Sequence, residues 1–314
     1  MEKQMLNRSV EPTYFAKRMA ELGVTDEVNT VEVDLACLGR PGTKRMPLFW
    51  ESADGGINIR YVGLNGLHTY RKGKRIKQYV RTRLHPDRVV RNRKYRSPAN
   101  VPKPVFIPPP VRDAYHRREK HPTLVVTEGE FKAMKAALHG LFCIGIPGVY
   151  HYAETTPDGP ALNREIAAVI RACGVDNVVF LTDSDCFDVI AQPGRDLFWR
   201  PYSFCQAIHR FRELCRPFPV EVHFAHIRPE TGCKGLDDLY GRETGREEKI
   251  TRFLADLERN EFFVFRWGQQ LEFSRLVGYF SIDAVLMGPP QPLLTKEGFS
   301  SATGKVPRSH PLLF

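Results

Sequence analysis

The chain has 314 residues, enough for one large domain or two ordinary ones, and at 42% hydrophobic content it can fill a core without disulfide or metal staples. Forty-six Lys and Arg against 36 Asp and Glu give a formal charge of +10, which calls for a polyanionic partner. No run of about 18 apolar residues occurs and the stretch from Met1 to Val10 is polar, so no membrane partner is expected and nucleic acid is favoured. The seven cysteines include no pair separated by two residues, which argues against zinc; they read as buried thiols in a cytoplasmic protein.

Residues 1–45 form an N-terminal helical segment, with Tyr14, Phe15, Arg18, Met19 and Leu22 near helical spacing after Pro12. Residues 46–110 begin with a short β-like pattern: Leu48, Phe49 and Trp50, a turn at Asp54, Gly55 and Gly56, then Ile57, Ile59 and Tyr61 in alternation. Pro98, Pro102, Pro104 and the run from Pro108 to Pro110 close this stretch as an extended linker. Residues 111–260 alternate strands with helical periodicity. The strands are read at Leu124 to Val126, Phe142 to Ile146, Val178 to Leu181 and Val220 to Ala225, the last as a half-exposed edge. The helices carry Phe131, Met134 and Leu138; Ile166, Ile170 and Cys173; Phe204, Ile208, Phe211 and Cys215; and Ile250, Phe253, Leu254 and Leu257. Residues 261–314 are a C-terminal extension of unread role, with a strand at Phe262 to Phe265. The fold class predicted is α/β, a mostly parallel sheet with helices on both faces, preceded by a small basic β-rich subdomain.

Three acids lie just after predicted strands: Glu128, then Asp183 and Asp185 in Thr182-Asp183-Ser184-Asp185. Open α/β sheets bind ligands at such strand ends. Like charges about 4 Å apart repel by roughly 1 kcal/mol in water and about 4 kcal/mol at an effective dielectric near 20, so the cluster needs a cation or a proton. Oxygen-only donors select Mg²⁺ or Mn²⁺. Capping of the following helix explains Asp183 and Asp185 equally well. Gly129 suits a tight strand-to-helix turn whose N–H groups could meet a phosphate. Glu130 reads as a first-turn helix charge. Asp237, after the fourth strand, is either a further ligand or an N-cap, and Lys132 and Lys234 are either phosphate contacts or ordinary surface lysines.

Between Arg71 and Arg96 run twelve cations, among them Arg81, Arg83, Arg91, Arg93, Lys94 and Arg96, opposed only by Asp87. Tyr70, Tyr79 and Tyr95 are interleaved and offer faces on which bases could stack while the cations follow phosphates. Such a belt suits single strands better than a groove.

At these residues the sequence resembles the Toprim family. Val125-Val126-Thr127-Glu128-Gly129 matches its glutamate strand, Asp183-Ser184-Asp185 its Asp-x-Asp motif, and Gly235-Leu236-Asp237-Asp238 the acidic segment after its fourth strand. The wording from Thr127 to Ala133 is closest to primase-like proteins of phages, plasmids and mobile elements, and Lys94-Tyr95-Arg96-Ser97-Pro98 looks like a segment primases place upstream. The resemblance implies a nucleotidyltransferase of DNA replication, with Glu128, Asp183 and Asp185 catalytic and, with Asp237, metal-binding. It also implies a single-stranded DNA template, nucleoside triphosphates bound near Gly129, Lys132 and Lys234, and a separate helicase or replication protein as partner. The same acids would serve a Toprim nuclease, and a binding module without turnover is the non-enzymatic alternative. Two departures stand out: Lys132 occupies a position where many primases have aspartate, and Cys186 to Tyr202 is an insertion.

Overall fold

The computed structural model describes residues 11–91, 93–191, 193–195, 197, 199–242, 245–253 and 260–267. The chain divides into two compact units, Met1–Pro104 and Val105–Phe314.

In the first unit, helix α1 (Tyr14–Leu22) starts where the Thr13 hydroxyl accepts the Ala16 N–H at 3.2 Å, and it stops at Gly23 in the left-handed conformation. Met19 and Leu22 are its buried residues. The segment is not purely helical, because β1 (Thr30–Asp34) and β2 (Thr43–Pro47) follow as an antiparallel pair. Val31 and Val33 are buried while Glu32 and Asp34 are exposed, a period-two signal that a helical reading passes over.

Next come β3 (Phe49–Glu51), β4 (Ile57–Arg60), β5 (Val62–Gly63), β6 (Gly66–Leu67), β7 (Thr69–Lys72), β8 (Arg75–Gln78), β9 (Val80–Arg83) and β10 (Tyr95–Arg96). β10, β9, β4 and β3 make an antiparallel sheet in that order, while β5–β6 and β7–β8 are two-stranded ribbons. Phe49, Ile57, Ile59, Tyr61 and Tyr79 are fully buried in this unit.

The second unit contains α2 (Pro109–Arg117), β11 (Thr123–Glu128), α3 (Glu130–Leu138), β12 (Cys143–Ile146), β13 (Ala153–Thr156), β14 (Gly159–Leu162), α4 (Arg164–Ala172) and β15 (Asn177–Thr182). It continues with α5 (Trp199–Cys215), β16 (Glu221–Ile227), α6 (Leu236–Gly241), α7 (Arg246–Thr251) and β17 (Phe263–Trp267). The sheet runs β12-β11-β15-β16-β17, parallel through its first four strands and antiparallel at β17. β12 lies on one side of β11 and β15 on the other, so right-handed crossovers place α3 on one face and α4 and α5 on the opposite one.

Two details depart from the sequence reading. β17 pairs with β16, so the stretch from Val220 to Ala225 is not an edge, and His223, Phe224 and Ala225 are buried. The hairpin β13–β14 interrupts the path from β12 to α4; its turn, Pro157-Asp158-Gly159, was a readable turn signal. Leu254 and Leu257 lie outside the described residues. Under α5 the core is aromatic: Tyr152, Phe180 and Phe211 pack with centroids 5.0 to 5.7 Å apart, and the Tyr152 hydroxyl donates to the Ala207 carbonyl at 2.6 Å. On the other end of the sheet, the free side of β12 is met by Phe106, which exchanges two backbone hydrogen bonds with Gly145 at 2.7 and 2.9 Å. Among the described residues no helix is long and apolar enough to cross a membrane.

Candidate functional site

Glu128 ends β11 and Thr182 ends β15, and these neighbouring strands run parallel with Thr127 opposite Leu181. Hydrogen-bonded strands lie about 4.8 Å apart, so Glu128 and the Asp183 loop leave the sheet side by side at its carboxyl edge. The chain turns into α3 at Gly129, whose φ of 112° is one that side chains rarely adopt. Space is short there too, since a Cβ on Gly145 would lie 2.9 Å from the Gly129 carbonyl oxygen. The Gly129 N–H donates to the Ile146 carbonyl at 2.9 Å and is committed to the sheet, so any N–H groups this turn offers a phosphate belong to the first turn of α3 and not to Gly129 itself. Glu130 is in the first turn of α3, as read from the sequence, and is fully buried there.

Lys132, on the first turn of α3, fills the acidic edge. Its ammonium donates to both oxygens of Asp183 at 2.5 and 2.6 Å, with the two side chains 18% and 15% exposed. Burial alone would lower the basicity of this ammonium, but Asp183, followed by Asp237 and Glu128, outweighs it and holds Lys132 above the usual lysine value. Its stem passes Gly235, where a Cβ would lie 2.5 Å from Lys132 Cε and 2.8 Å from Asp237 Oδ1.

Asp185 has two cations of its own. Lys234 Nζ lies 2.6 Å from one oxygen and Arg200 2.7 Å from the other, and Arg200 Nε also donates to the Asp185 carbonyl at 2.8 Å. Burial tends to raise the Asp185 carboxyl, yet the Lys234 hydrogen bond and the Arg200 charge prevail and keep it below the ordinary aspartate value. Arg200 was not anticipated from the sequence. It stands 15 residues beyond Asp185, within the inserted segment, where no spacing rule points to it. Capping of α6 falls to Asp238, whose Oδ2 accepts the N–H groups of Lys234 and Gly235 at 3.1 and 3.2 Å, which leaves Asp237 to act on Lys132.

This arrangement does not fit the Mg²⁺ or Mn²⁺ suggested by the acids. Both oxygens of Asp183 are held by Lys132, and those of Asp185 by Lys234 and Arg200. Among the described residues no group of three or more His, Cys, Asp or Glu is placed to hold a metal ion.

In the first unit the twelve cations of the belt divide in two. Arg81 is buried, with its guanidinium 4.0 Å over the Tyr95 ring, and Arg83 donates to the hydroxyls of Tyr14 and Tyr95 at 2.9 and 3.2 Å. Tyr79 is buried edge-on against Tyr61. Arg81 and Arg83, expected to hold nucleic acid, therefore fasten β9 and β10 within the unit through Tyr95, which stays half-buried, and Tyr79 offers no face to a base. The alternation of β9 and its flanks turns these side chains inward while the charge count stays the same.

The other ten cations, including Arg91, Arg93, Lys94 and Arg96, are exposed. Arg88, Arg91, Arg93 and Arg96 line a cavity of about 600 Å³ together with Leu84, Val90, Tyr95 and Ser97. Arg96 also lies 3.3 Å from Asp54.

No protein-family model matches the sequence, and no curated protein matches it. Among solved structures the chain is similar to a DnaG primase catalytic domain bound to ssDNA, at 14% identity and TM-score 0.40, covering 78% of this chain and 63% of that one. It is also similar to the E. coli primase catalytic core, at 14% identity and TM-score 0.41, covering 77% and 76%. A DNA primase domain from Pseudomonas aeruginosa is similar at 16% identity and TM-score 0.37, covering 67% and 58%.

Proposed function

We propose that this chain is a primase-like protein that works on single-stranded nucleic acid, with nucleotidyl transfer at the carboxyl edge of the second unit's sheet. The observation that carries this reading is the gathering of Asp183 and Asp185 with Lys132, Lys234 and Arg200 where β15 ends, beside Glu128 at the end of β11. The cations bind and orient the phosphate oxygens of a nucleoside triphosphate, which lowers the cost of bringing one polyanion to another. Glu128 takes the proton of the attacking hydroxyl, whose oxygen bonds the α-phosphorus of the triphosphate as the bond to pyrophosphate breaks and pyrophosphate leaves. The exposed cations of the first unit hold the template through its phosphates, and a separate helicase or replication protein opens the duplex.

A second reading, binding without turnover, draws on one observation: Lys132 engages both oxygens of Asp183. Incubating the chain with labelled single-stranded DNA, with and without nucleoside triphosphates and Mg²⁺, decides between them. Template-dependent products that vanish in Asp185→Asn are expected. Binding with no product supports the second reading, and shortened template without added nucleotides would replace both with a nuclease.

A further inference from the structure

The acidic edge carries a cation of its own. Four carboxylates, those of Glu128, Asp183, Asp185 and Asp237, are answered by Lys132, Lys234 and Arg200, so most of the charge that would draw in a divalent ion is already balanced. Lys132 is the central member of this set. It donates to both Asp183 oxygens, and Asp237 and Glu128 also act on it. The fold makes room for its stem, since at Gly235 any side chain would begin 2.5 Å from Lys132 Cε. A glycine at this point of closest approach is a steric observation independent of the charge pairing, and it marks the inward path of Lys132 as built into the loop.

We infer that the Lys132 ammonium is the resident counter-ion of this edge, taking the place of a divalent metal ion, so that phosphate groups are bound here without one. The inference deepens the phosphate-handling role proposed above and rests on it for the identity of the ligand. The displacement of metal by Lys132 does not depend on that role. A divalent ion bound between Asp183 and Asp185 would have to expel the ammonium from a largely buried pair and also compete with Lys234 and Arg200. A nucleotide phosphate, by contrast, can accept from N–H groups that Lys132, Lys234 and Arg200 do not spend on their acids, and no cation has to be expelled for that.

Titration of the full-length chain with Mn²⁺ alone, followed by calorimetry, tests this. The native chain is expected to show no binding in the micromolar range, whereas Lys132→Gln and Lys132→Met each bind Mn²⁺ about tenfold or more tightly than it does. Micromolar binding by the native chain overturns the inference, as do folded variants that bind no more tightly. If neither variant folds, the native titration still decides. Single-stranded DNA affinity measured on the same samples reports on the function separately. A chain that ignores both Mn²⁺ and DNA, with variants that take up Mn²⁺, supports the resident ammonium and rejects the nucleic-acid reading.

Discussion

Replacing Arg91, Arg93, Lys94 and Arg96 together by Gln removes four exposed cations, three of which line the cavity of the first unit. Each contact to a single-strand phosphate contributes roughly −0.7 to the slope of log K against log salt. Arg91, Arg93 and Lys94 then account for a change of about 2 in that slope. Arg96 shares its charge with Asp54 at 3.3 Å and brings the total to at most about 3. Between about 50 and about 200 mM salt, a slope difference near 2.8 means that the native chain loses affinity about fifty times more steeply than the variant. The assay is fluorescence anisotropy with a labelled single strand across that salt series, with circular dichroism to show that the variant is folded. A folded variant with an unchanged slope would refute the assignment and leave these side chains as solvated surface.

Three further outcomes follow from the geometry. Asp183→Asn leaves Lys132 charged and largely buried without its acid, a loss of about 3 kcal/mol in urea unfolding. Asp185→Asn costs less, because its partner Lys234 is more than half exposed and Arg200 keeps its hydrogen bond to the carbonyl of residue 185, and equal midpoints for the two variants would contradict the pairing. Gly235→Ala pushes against Lys132 Cε and Asp237 and lowers stability by about 1 kcal/mol. A melting temperature identical to that of the native chain would show that the loop has slack. Burial depresses the protonation of His223, which is 1% exposed and 3.0 Å from Asn177 Oδ1, although Glu221 at 3.7 Å opposes this. With the folded value below the ordinary 6.5, the unfolded chain takes the proton first, so stability is full above 6.5 and declines as pH falls through the folded value. Melting curves from pH 7.5 to about 5 should therefore flatten in His223→Gln, and parallel curves would exclude this histidine as the cause.

The parallel sheet was legible because β11, β12 and β15 carry short apolar runs, two of which end at acids, as at Val178 to Leu181 before Asp183, and a buried strand with a polar exit accounts for that pattern. The positions of Glu128, Asp183 and Asp185 at strand ends were legible for the same reason. What neutralises them was not, because a lysine's partner is fixed by the direction of its stem and the clearance around it. Lys132 looks like any first-turn lysine until Gly235 is seen beside it. Arg200 reaches Asp185 from within an insertion whose path no local pattern dictates. In the belt, charge density identified the stretch but not the inward turn of Arg81, which depends on where the pleat of β9 begins. The pairing of β17 with β16 joins segments far apart in sequence, and composition alone does not give it.

The backbone pairing of Phe106 with Gly145 has a practical consequence for dissecting the molecule. β12 ends its sheet, and an unpaired strand edge is a template for joining another chain. The residues just after Pro104 supply the cover, so the second unit carries its own guard against fibre-like association in its first few residues. A fragment begun at Val105 keeps that guard and should stay monomeric. One begun at Pro109, with every helix and strand of the sheet intact, would expose the Gly145 donor and acceptor on the outer edge of β12 and assemble through that edge.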